Sequence, residues 1–350
     1  MLKSFVIPLS AFVFLWVGLC SPLWARTLNV PSQYPDIPAA IAAAAAGDEI
    51  RLASGVYKGN FELRPQLSLV GEQDSAVILA PDGRYALPTL TAAEGCTVEN
   101  ITFIHAITGS RAALLLKDCT AVIRHNIFKE NYTAAIAVEG GSSQPRIADN
   151  QILENQGTGI IISFGSPVIE NNNINSNHGS GISATNALPT IEGNLISYNT
   201  DAGISLIGTK SVDLKQLSPL QAQVRDNYIV DNYGPAIICD LISPMITGNT
   251  LRSKAKPTLL LFNSSAVIRQ NEFTTTGMPA IQVNYGAPII EGNTISGARR
   301  FPILGGSKDA VIRNNKIENE WNPGFGTTDW LTQPKTQTKP ESPASGAPGS

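Results

Sequence analysis

One short pattern returns nine times between residues 121 and 317, and it constrains the fold more than any other feature. It reads alanine or proline, any residue, isoleucine or valine, two residues, asparagine, one residue and then an aliphatic or phenylalanine side chain. Its asparagines are Asn126, Asn150, Asn172, Asn194, Asn227, Asn249, Asn271, Asn293 and Asn315. Six of the eight intervals are 22 residues, one is 24 and one is 33. Such a period indicates a repeat architecture in which each unit contacts mainly its neighbours.

Each unit also repeats three apolar positions, at three residues before the asparagine, two after it and ten after it. In the unit of Asn172 they are Ile169, Ile174 and Ile182. They lie in short β-forming runs between Asn, Gly and Pro, which is typical of strands and too short for helices. Stacked coils ~4.8 Å apart place each isoleucine on its counterpart, which contributes about 1.5–3 kcal/mol per buried side chain. The pattern therefore predicts an all-β parallel β-helix with coils of about 22 residues.

The asparagines have a structural role in such a solenoid. Asparagine tolerates the left-handed backbone conformation of a tight turn, so we expect positive φ at these residues. Their stacked amides can hydrogen-bond along the stack, as in cross-β assemblies. A second predicted ladder lies five residues further on, at Asn131, Asn155, Asn177, Asn199 and Asn232, and Lys254 takes its next position. Most of the five asparagines in the first half of the segment 167–188 are therefore architectural.

The two ends of the stack have their own signals. Residues 36–46 are predicted to form a capping helix, because Asp36 is a good N-cap and Gly47 follows an alanine-rich run. The aromatic segment 321–330 is a candidate plug for the last coil, and residues 331–350 are predicted to be disordered. The interval of 33 residues contains an insertion at 208–221, which either carries a binding function or is neutral. The β-helix domain is thus predicted to span 26–330.

The first 25 residues have the order of a secretory signal peptide. Lys3 precedes a long apolar run, and residues 23–25, Leu-Trp-Ala, end in a small side chain. We expect cleavage near Ala25, a mature chain from about Arg26, and an exported protein that is periplasmic or extracellular. Attachment of a lipid through Cys20 is disfavoured, because Leu19 stands where a small residue is needed. No later segment has the ~20 apolar residues of a spanning helix.

Composition excludes some partners and leaves the cysteines open. The net charge is −3 with no basic cluster, which argues against nucleic acid as a partner. Three histidines and three methionines fit a copper protein poorly. Cys96 and Cys119 each precede a threonine, so they either form a disulfide between stacked segments or are two small buried side chains. Cys239 lies in an apolar run and is expected in the core.

With the repeat and the N-terminal segment in hand, the chain resembles the pectin-lyase-like right-handed parallel β-helix superfamily. Residues 30–63 resemble the entry of pectin methylesterases. The repeats resemble the carbohydrate-binding and sugar-hydrolase repeats of polygalacturonases, alginate epimerases and NosD-type periplasmic proteins. The resemblance covers nearly the whole mature chain and implies a right-handed, single-stranded coil with a polysaccharide ligand. It implies no single reaction, because this scaffold carries many activities.

The family's catalytic motifs are not reproduced. Asn199-Thr200-Asp201 and His178-Gly179 occur in the reverse of the polygalacturonase order, and the chain has no Asp-Asp pair. The methylesterase Gln-Asp-Thr and epimerase Asp-Pro-His motifs are missing. The resemblance therefore leaves open whether the protein is an enzyme.

His178 and Asp201 are the candidate catalytic residues. They are 23 residues apart, so they lie on adjacent coils with a displacement of about one residue. A histidine beside a carboxylate can act as acid and base on a sugar. In the alternative, His178 is an exposed turn residue and Asp201 caps a turn. Tyr132 and Tyr233 are expected on the coils to either side of this pair, where their rings can stack on a sugar. Outward residues of the third strand complete the candidate site: Ser183, Thr185, Ser205, Asp240 and Glu139.

A candidate cation site lies four residues after the first-ladder asparagine. Glu130 and Glu154 occupy this position on adjacent coils, and His105 precedes them by one coil. Two stacked carboxylates repel each other, and a bound Ca²⁺ would relieve the repulsion. In the alternative, both side chains extend into water.

Three classes of function follow from these observations. The first is recognition of an extended acidic or neutral polysaccharide along one face of the solenoid. The second is modification of a uronic-acid polymer by a lyase, hydrolase or epimerase. The third is a structural solenoid of the cell envelope that binds a protein partner.

Overall fold

The computed structural model describes residues 25–72, 77–80, 87–106, 109–110, 112–209, 221–299 and 301–318. Their strands form three sheets in which every pairing is parallel and joins one coil to the next. Successive strands along the regular coils belong to successive sheets, so each coil contributes one strand to each sheet. The predicted right-handed parallel β-helix is confirmed.

The strands are numbered along the chain, and within the described residues each sheet stacks them in the following order. The first sheet contains β1 (Thr27–Val30), β2 (Glu49–Leu52), β5 (Ser68–Gly71), β8 (Thr97–Glu99), β11 (Val122–Arg124), β14 (Arg146–Ala148), β17 (Val168–Glu170), β20 (Thr190–Glu192), β23 (Gln223–Arg225), β26 (Met245–Thr247), β29 (Val267–Arg269), β32 (Ile289–Glu291) and β35 (Val311–Arg313). The second sheet contains β3 (Gly55–Lys58), β6 (Val77–Ala80), β9 (Thr102–Ile104), β12 (Ile127–Lys129), β15 (Gln151–Leu153), β18 (Asn173–Asn175), β21 (Leu195–Ser197), β24 (Tyr228–Val230), β27 (Thr250–Ser253), β30 (Glu272–Thr275), β33 (Thr294–Ser296) and β36 (Lys316–Glu318). The third sheet contains β4 (Phe61–Glu62), β7 (Leu90–Ala92), β10 (Ala112–Lys117), β13 (Ala134–Glu139), β16 (Ile160–Ser163), β19 (Ile182–Thr185), β22 (Ile204–Ile207), β25 (Ile237–Asp240), β28 (Leu259–Phe262), β31 (Ile281–Asn284) and β34 (Ile303–Gly305).

The interior of the coil is filled by columns of apolar side chains in register. In the first sheet, Ile147 pairs with Ile169 of the next coil, and the columns of the other sheets stack in the same way. These side chains are fully buried. Phe103 and Phe128 stack face to face, with ring centroids 4.6 Å apart. The three predicted apolar columns are confirmed, and they hold the coils in a single register.

The first asparagine ladder follows the turn between the first and second sheets, and Asn172 is typical of it. Its Nδ2 donates to Asn194 Oδ1 at 3.0 Å and to the carbonyls of Ile147 and Glu170, both at 2.9 Å. Its Oδ1 accepts the main-chain N–H of Asn150 at 2.9 Å and the side-chain amide of Asn150 at 3.0 Å. The amide is buried and fully hydrogen-bonded, so it satisfies main-chain groups of two coils that water cannot reach.

The expectation of positive φ at the ladder asparagines is wrong. The left-handed residue is the one just before each of them, as His125 (φ 56°) and Asn171 (φ 53°) show. The full set in the first turn is His125, Asp149, Asn171, Gly193, Asp226, Gly248, Gln270, Gly292 and Asn314. Asparagine recurs at the ladder position because its amide bridges coils, whereas the left-handed position accepts several residue types.

The second ladder follows the turn between the second and third sheets and is also confirmed. Its last link joins Asn199 Nδ2 to Asn232 Oδ1 at 2.9 Å. Lys254 occupies the next position, and its Nζ lies 3.2 Å from Asp231 Oδ1. The ladder therefore gives way to an ion pair at this coil.

The N-terminal end is covered by α1 (Ile37–Ala43), which packs on β1 and β2. Asp36 is its N-cap and accepts the N–H of Ala39 at 2.8 Å. Ile37 and Ala40 are buried in the core. The helix thus closes the open end of the first coils, where apolar columns have no earlier coil to cover them.

The helix is shorter than the predicted 36–46. Ala44 already has an extended backbone, with φ −71° and ψ 147°. The carboxylate of Asp48 accepts the N–H of Ala45 at 2.8 Å, which turns the chain out of the helix. The Arg64 guanidinium also donates to the carbonyl of Ala44 at the C-terminal end of the helix.

The three described cysteines are free and buried. Cys96 immediately precedes Thr97, which pairs with Val122, so Cys96 aligns with Ala121 rather than with Cys119. The disulfide alternative for Cys96 and Cys119 is therefore not realised, because the two are out of register by two residues. Burial raises the pKa of all three thiols, including that of the core residue Cys239.

Several predicted segments lie outside the described residues. They are residues 1–24 of the predicted signal peptide, residues 210–220 of the insertion, the aromatic segment 321–330 and the tail 331–350. Within the described ranges, the chain contains no helix with the length and apolar character needed to span a bilayer.

Candidate functional site

The candidate catalytic residues lie on the turn between the second and third sheets. We call the outer surface of this turn, from His105 to Lys254, the turn edge. Main-chain hydrogen bonds to the preceding coil align the residues that follow the second-ladder position, which are Tyr132, Gln156, His178, Thr200 and Tyr233. Gln156 thus separates Tyr132 from His178, so the expectation that tyrosines flank the His–Asp pair on both neighbouring coils is wrong for Tyr132.

His178 and Asp201 are both exposed on the turn edge. The N–H of Asp201 bonds to the carbonyl of Gly179 at 3.3 Å, so Asp201 aligns with the residue after His178, as the spacing predicts. Among the described residues, no hydrogen bond or ion pair joins the two side chains. A general acid or base must lie within hydrogen-bond reach of the proton that it transfers once the substrate is bound. The structure therefore places the two residues side by side on adjacent coils, as predicted, and their catalytic role stays a prediction.

The predicted contact residues of the third strand form two outward columns. Ser183 pairs with Ser205 in one column. Glu139, Thr185 and Asp240 share the other, through Ser163 and Ile207. Ser205 is buried between its neighbours and the others are partly exposed. The structure thus brings all five predicted residues onto one face, next to the turn edge.

The candidate cation residues are only partly brought together. His105 Nε2 lies 3.5 Å from Glu130 Oε2, and Lys129 Nζ lies 3.7 Å from Glu130 Oε1. The ring of Tyr132 is 6.5 Å from that of His105, and Glu154 is exposed. In the part of the chain that the structure describes, no three His, Cys, Asp or Glu side chains are grouped to hold a metal ion. The charge of Glu130 is offset by its neighbours, so the structure does not support the predicted Ca²⁺ site.

A second group of residues lies where the second ladder ends, and we call it the tyrosine–arginine cluster. At its centre is the carboxylate of Asp231, whose side chain is 4% exposed. The carboxylate accepts a hydrogen bond from Arg252 Nη2 and pairs with Lys254 Nζ at 3.2 Å. Tyr198, 54% exposed, and Tyr228, 46% exposed, lie close enough to Arg252 for their phenols to act electrostatically on the guanidinium. Two accessible rings thus lie on the two coils that precede Arg252, near a cation that a buried carboxylate holds in place.

The cluster carries an excess of positive charge. Burial by itself would raise the pKa of Asp231, but hydrogen bonds and charges from Arg252 and Lys254 outweigh burial and hold the pKa below its usual value. The carboxylate is therefore ionised at neutral pH and neutralises only one of its two cations. An arginine fork and a nearby ammonium favour a carboxylate or sulfate ligand.

Sequence reasoning missed this cluster because the outward positions of the strands have no period. Tyr228 stands in register with Leu195 and Thr250 of the adjacent coils. One signal was available: the asparagine of the second ladder is replaced at Lys254, and a break in a buried ladder marks a coil with different polar contacts.

A family model described as "Right handed beta helix region" matches residues 75–229 and 235–338 of the chain. The search of curated proteins found no match to this chain. Since the matched ranges cover well over half of the chain, they establish its family.

Solved structures with the same architecture share little sequence with the chain. XylC in complex with xylose is 10% identical, with 85% of this chain and 86% of that chain covered and a TM-score of 0.60. The catalytic domain of a GH87 α-1,3-glucanase in complex with nigerose is 13% identical, with 85% and 69% covered and a TM-score of 0.53. The A-module of the Azotobacter vinelandii mannuronan C-5 epimerase AlgE4 is 13% identical, with 81% and 91% covered and a TM-score of 0.50. At these identities the likeness is one of fold.

Proposed function

Since this chain belongs to the right-handed β-helix family, we propose that it is a binding protein that recognises an extended acidic polysaccharide at the turn edge of its solenoid. The observation that carries the proposal is the tyrosine–arginine cluster: exposed Tyr198 and Tyr228 lie on the two coils before Arg252, whose guanidinium is held by the buried Asp231. Tyrosine rings offer an apolar face with a polar tip, which suits a sugar ring. The anchored guanidinium suits a sugar carboxylate or sulfate.

The shape of the solenoid supports an extended ligand. Neighbouring coils are ~4.8 Å apart, so the turn edge presents its side chains at regular short intervals along the stack. Tyr233, 71% exposed, lies on the same coil as Tyr228 and continues the aromatic surface beyond the cluster. The outward hydroxyls of Ser183 and Thr185 lie on the adjoining face of the third sheet. A polymer that follows this surface meets aromatic, cationic and hydroxyl groups in turn.

The proposal that the ligand is a saccharide and the proposal that it is acidic rest on different observations. XylC, the α-1,3-glucanase and the mannuronan epimerase are named for sugars or are bound to them, and they share the fold of this chain. The preference for an acidic polymer rests on this chain's own residues, because Arg252 and Lys254 exceed the charge of Asp231. Binding is proposed rather than turnover, because the sequence lacks the catalytic motifs of the polygalacturonases, methylesterases and epimerases. We propose that the protein works after export, where such polymers lie, on the strength of its N-terminal segment.

The proposal is tested by glycan binding with matched variants. Retention of the purified protein would be measured by affinity electrophoresis in polygalacturonate, alginate and neutral xylan, at low and high salt. Tyr198→Ser and Tyr228→Thr are suitable variants, because Ser176 and Thr250 hold the equivalent positions of adjacent coils. We expect retention by an acidic polymer that weakens in salt and about a tenfold loss of affinity in the double variant.

Tyr285→Ala is the matched control, since Tyr285 is 77% exposed on the turn that follows β31 of the third sheet. It should bind as the wild type does. Retention by xylan alone would overturn the acidic preference, and wild-type affinity in the double variant would overturn the site. New oligosaccharides in the same mixtures, detected by mass spectrometry, would replace binding with catalysis. A panel without any binder would leave a protein-binding solenoid as the better description.

A further inference from the structure

The most completely hydrogen-bonded carboxylate outside the turn edge is that of Asp48, at the N-terminal end of the solenoid. Its side chain is 2% exposed. Oδ2 accepts Arg26 Nη2 at 2.6 Å, Arg26 Nε at 3.1 Å and the N–H of Ala45 at 2.8 Å. Oδ1 accepts the main-chain N–H of Arg26 at 2.9 Å. The Asp48 carboxylate therefore binds both the side chain and the main-chain nitrogen of Arg26.

Arg26 is also the residue at which the sequence places the start of the mature chain. The small residue that ends the Leu-Trp-Ala signal is Ala25, and both Ala25 and Arg26 are exposed. β1 begins at the next residue, Thr27, and lies at the edge of the first sheet, where it pairs only with β2. The backbone nitrogen that cleavage would free is thus the atom that already faces Asp48 Oδ1.

We propose that the Ala25–Arg26 bond is the processing site of the precursor and that Asp48 is the acceptor for the new α-ammonium. Hydrolysis by a signal peptidase adds one water across the C–N bond. The carboxylate leaves with Ala25, and the freed amine of Arg26 takes up a proton. A neutral amide that donates one N–H to Asp48 becomes a cation with three N–H groups at the same place. Charge-assisted hydrogen bonds of this kind are roughly twice as strong as neutral ones.

The two oxygens of Asp48 have separate partners, so the one that faces the Arg26 nitrogen is not used by the guanidinium. Asp48 uses Oδ2 for the Arg26 side chain and keeps Oδ1 for the main-chain nitrogen, so the two positive groups address different oxygens. The other ionisable neighbours are Tyr34, which acts on the Arg26 guanidinium, and Glu49, whose side chain is paired with Arg51. Processing would therefore tighten the attachment of β1 at the sheet edge. This inference is independent of polysaccharide binding.

The first test is the identity of the mature N-terminus. The full chain would be expressed in an exporting host and the processed protein measured by intact mass and N-terminal sequencing. Arg26 is the expected first residue, and a different first residue would overturn the proposal.

The second test removes the charge and keeps the N–H. Cyanate near neutral pH carbamylates the α-amine selectively, since lysine side chains are protonated there. Amide hydrogen exchange of residues 27–30 would be compared in the processed and carbamylated proteins, with residues 316–318 at the other end as the internal control. We expect about tenfold higher protection of residues 27–30 in the processed protein at pH 6.5, which corresponds to about 1.4 kcal/mol.

Measurements at high pH and in a variant of Asp48 distinguish the ion pair between the α-ammonium and Asp48 from a general effect of carbamylation. A free α-amine titrates near 7.7–8.0, and its pKa rises when it faces a carboxylate. Its contribution is therefore full below pH ~8 and is lost as the pH rises through the folded pKa, so the difference should vanish at high pH. It should also vanish in Asp48→Asn. Equal protection of the processed and carbamylated proteins at pH 6.5, or a difference that persists in Asp48→Asn, would overturn the role of Asp48.

Discussion

The two asparagine ladders lie only five residues apart in each coil, yet they differ in extent. Within the described coils the first ladder runs unbroken through Asn126–Asn315. It even crosses the interval of 33 residues, where Asn194 Nδ2 bonds to Asn227 Oδ1 at 2.9 Å. The second ladder runs through Asn131–Asn232 and stops. Both satisfy the same kind of buried main-chain groups, so the difference lies in what the chain does at the outside of each turn.

At the first turn, the buried ladder satisfies the main chain, so the outward residue before each asparagine can be of several types. Its left-handed position holds His125, Asn171 or Gln270 without a change in φ of more than a few degrees. At the second turn the ladder ends at Asn232, and Lys254 takes the next position and pairs with Asp231, near Arg252 and the exposed tyrosines. A buried amide ladder thus stabilises the fold, and charged groups that can bind a ligand lie where the second ladder ends.

The largest effect is expected inside the first ladder. Asn172→Ala removes an amide that serves main-chain groups of Asn150, Ile147 and Glu170, and leaves them buried without partners. We expect the free energy of unfolding in urea to fall by about 3–5 kcal/mol. Asn173→Ala, at the neighbouring outward position, should stay within about 0.5 kcal/mol of the wild type. Equal losses in the two variants would contradict the distinction between ladder and surface asparagines.

A smaller effect is expected at the end of the second ladder. Among the described residues no later rung accepts from Asn232, and its Nδ2 donates there to the carbonyls of Ile196 and Val230 at 3.1 and 3.3 Å. Asn232→Ala should therefore cost about 2–3 kcal/mol by the same urea measurement, less than Asn172→Ala. If it cost as much as or more than Asn172→Ala, the second ladder would not be weaker at its end.

A smaller effect again is expected beside the second ladder, where small residues let the coils approach. A Cβ at Gly181 would lie 2.6 Å from Ile196 Cγ2 and 2.7 Å from the carbonyl oxygen of Gly203. Gly181→Ala should lower the urea midpoint, with a loss of about 1–2 kcal/mol from overpacking. Gly141→Ala is the control, because nothing lies within 4 Å of its added Cβ. A neutral Gly181→Ala would mean that the second turn has more room than its contacts indicate.

The smallest effect is expected from acid. The lowered pKa of Asp231 means that its stabilising contribution is present above pH ~4, the range of an unfolded aspartate, and is lost as the pH falls through the folded value. Urea midpoints between pH 6 and pH 2 should therefore fall less steeply in Asp231→Asn than in the wild type. Parallel curves would show that the ion pairs at the end of the ladder add no pH-dependent stability.

The sequence was informative where one side chain has the same duty in every coil. Ile169 and Asn172 must each meet an identical neighbour ~4.8 Å away, so their residue types recur and their registers could be predicted. The left-handed position could not be assigned to the residue before the asparagine, because His125, Asp149 and Gly193 share a backbone angle and no chemistry. The length of α1 depended on Asp48, whose carboxylate accepts the N–H of Ala45 three residues earlier while it also binds Arg26, 22 residues earlier.

In the candidate site, too, the register could be predicted from the sequence and the side-chain contacts could not. The spacing of 23 residues placed His178 and Asp201 on adjacent coils with the correct displacement, because register follows from counting. The absence of a hydrogen bond between their side chains, and the ion pair of Arg252 with Asp231, depend on where the side chains extend.

The sequence by itself determined the solenoid, its three sheets, its core columns and both ladders, because stacking repeats one set of contacts at a fixed period. Only the tertiary structure decided which outward residues meet, since nothing in a period of 22 constrains side chains that face water. It also revealed the hydrogen bonds between Asp48 and Arg26, which lie outside the repeated coils and therefore follow no sequence period.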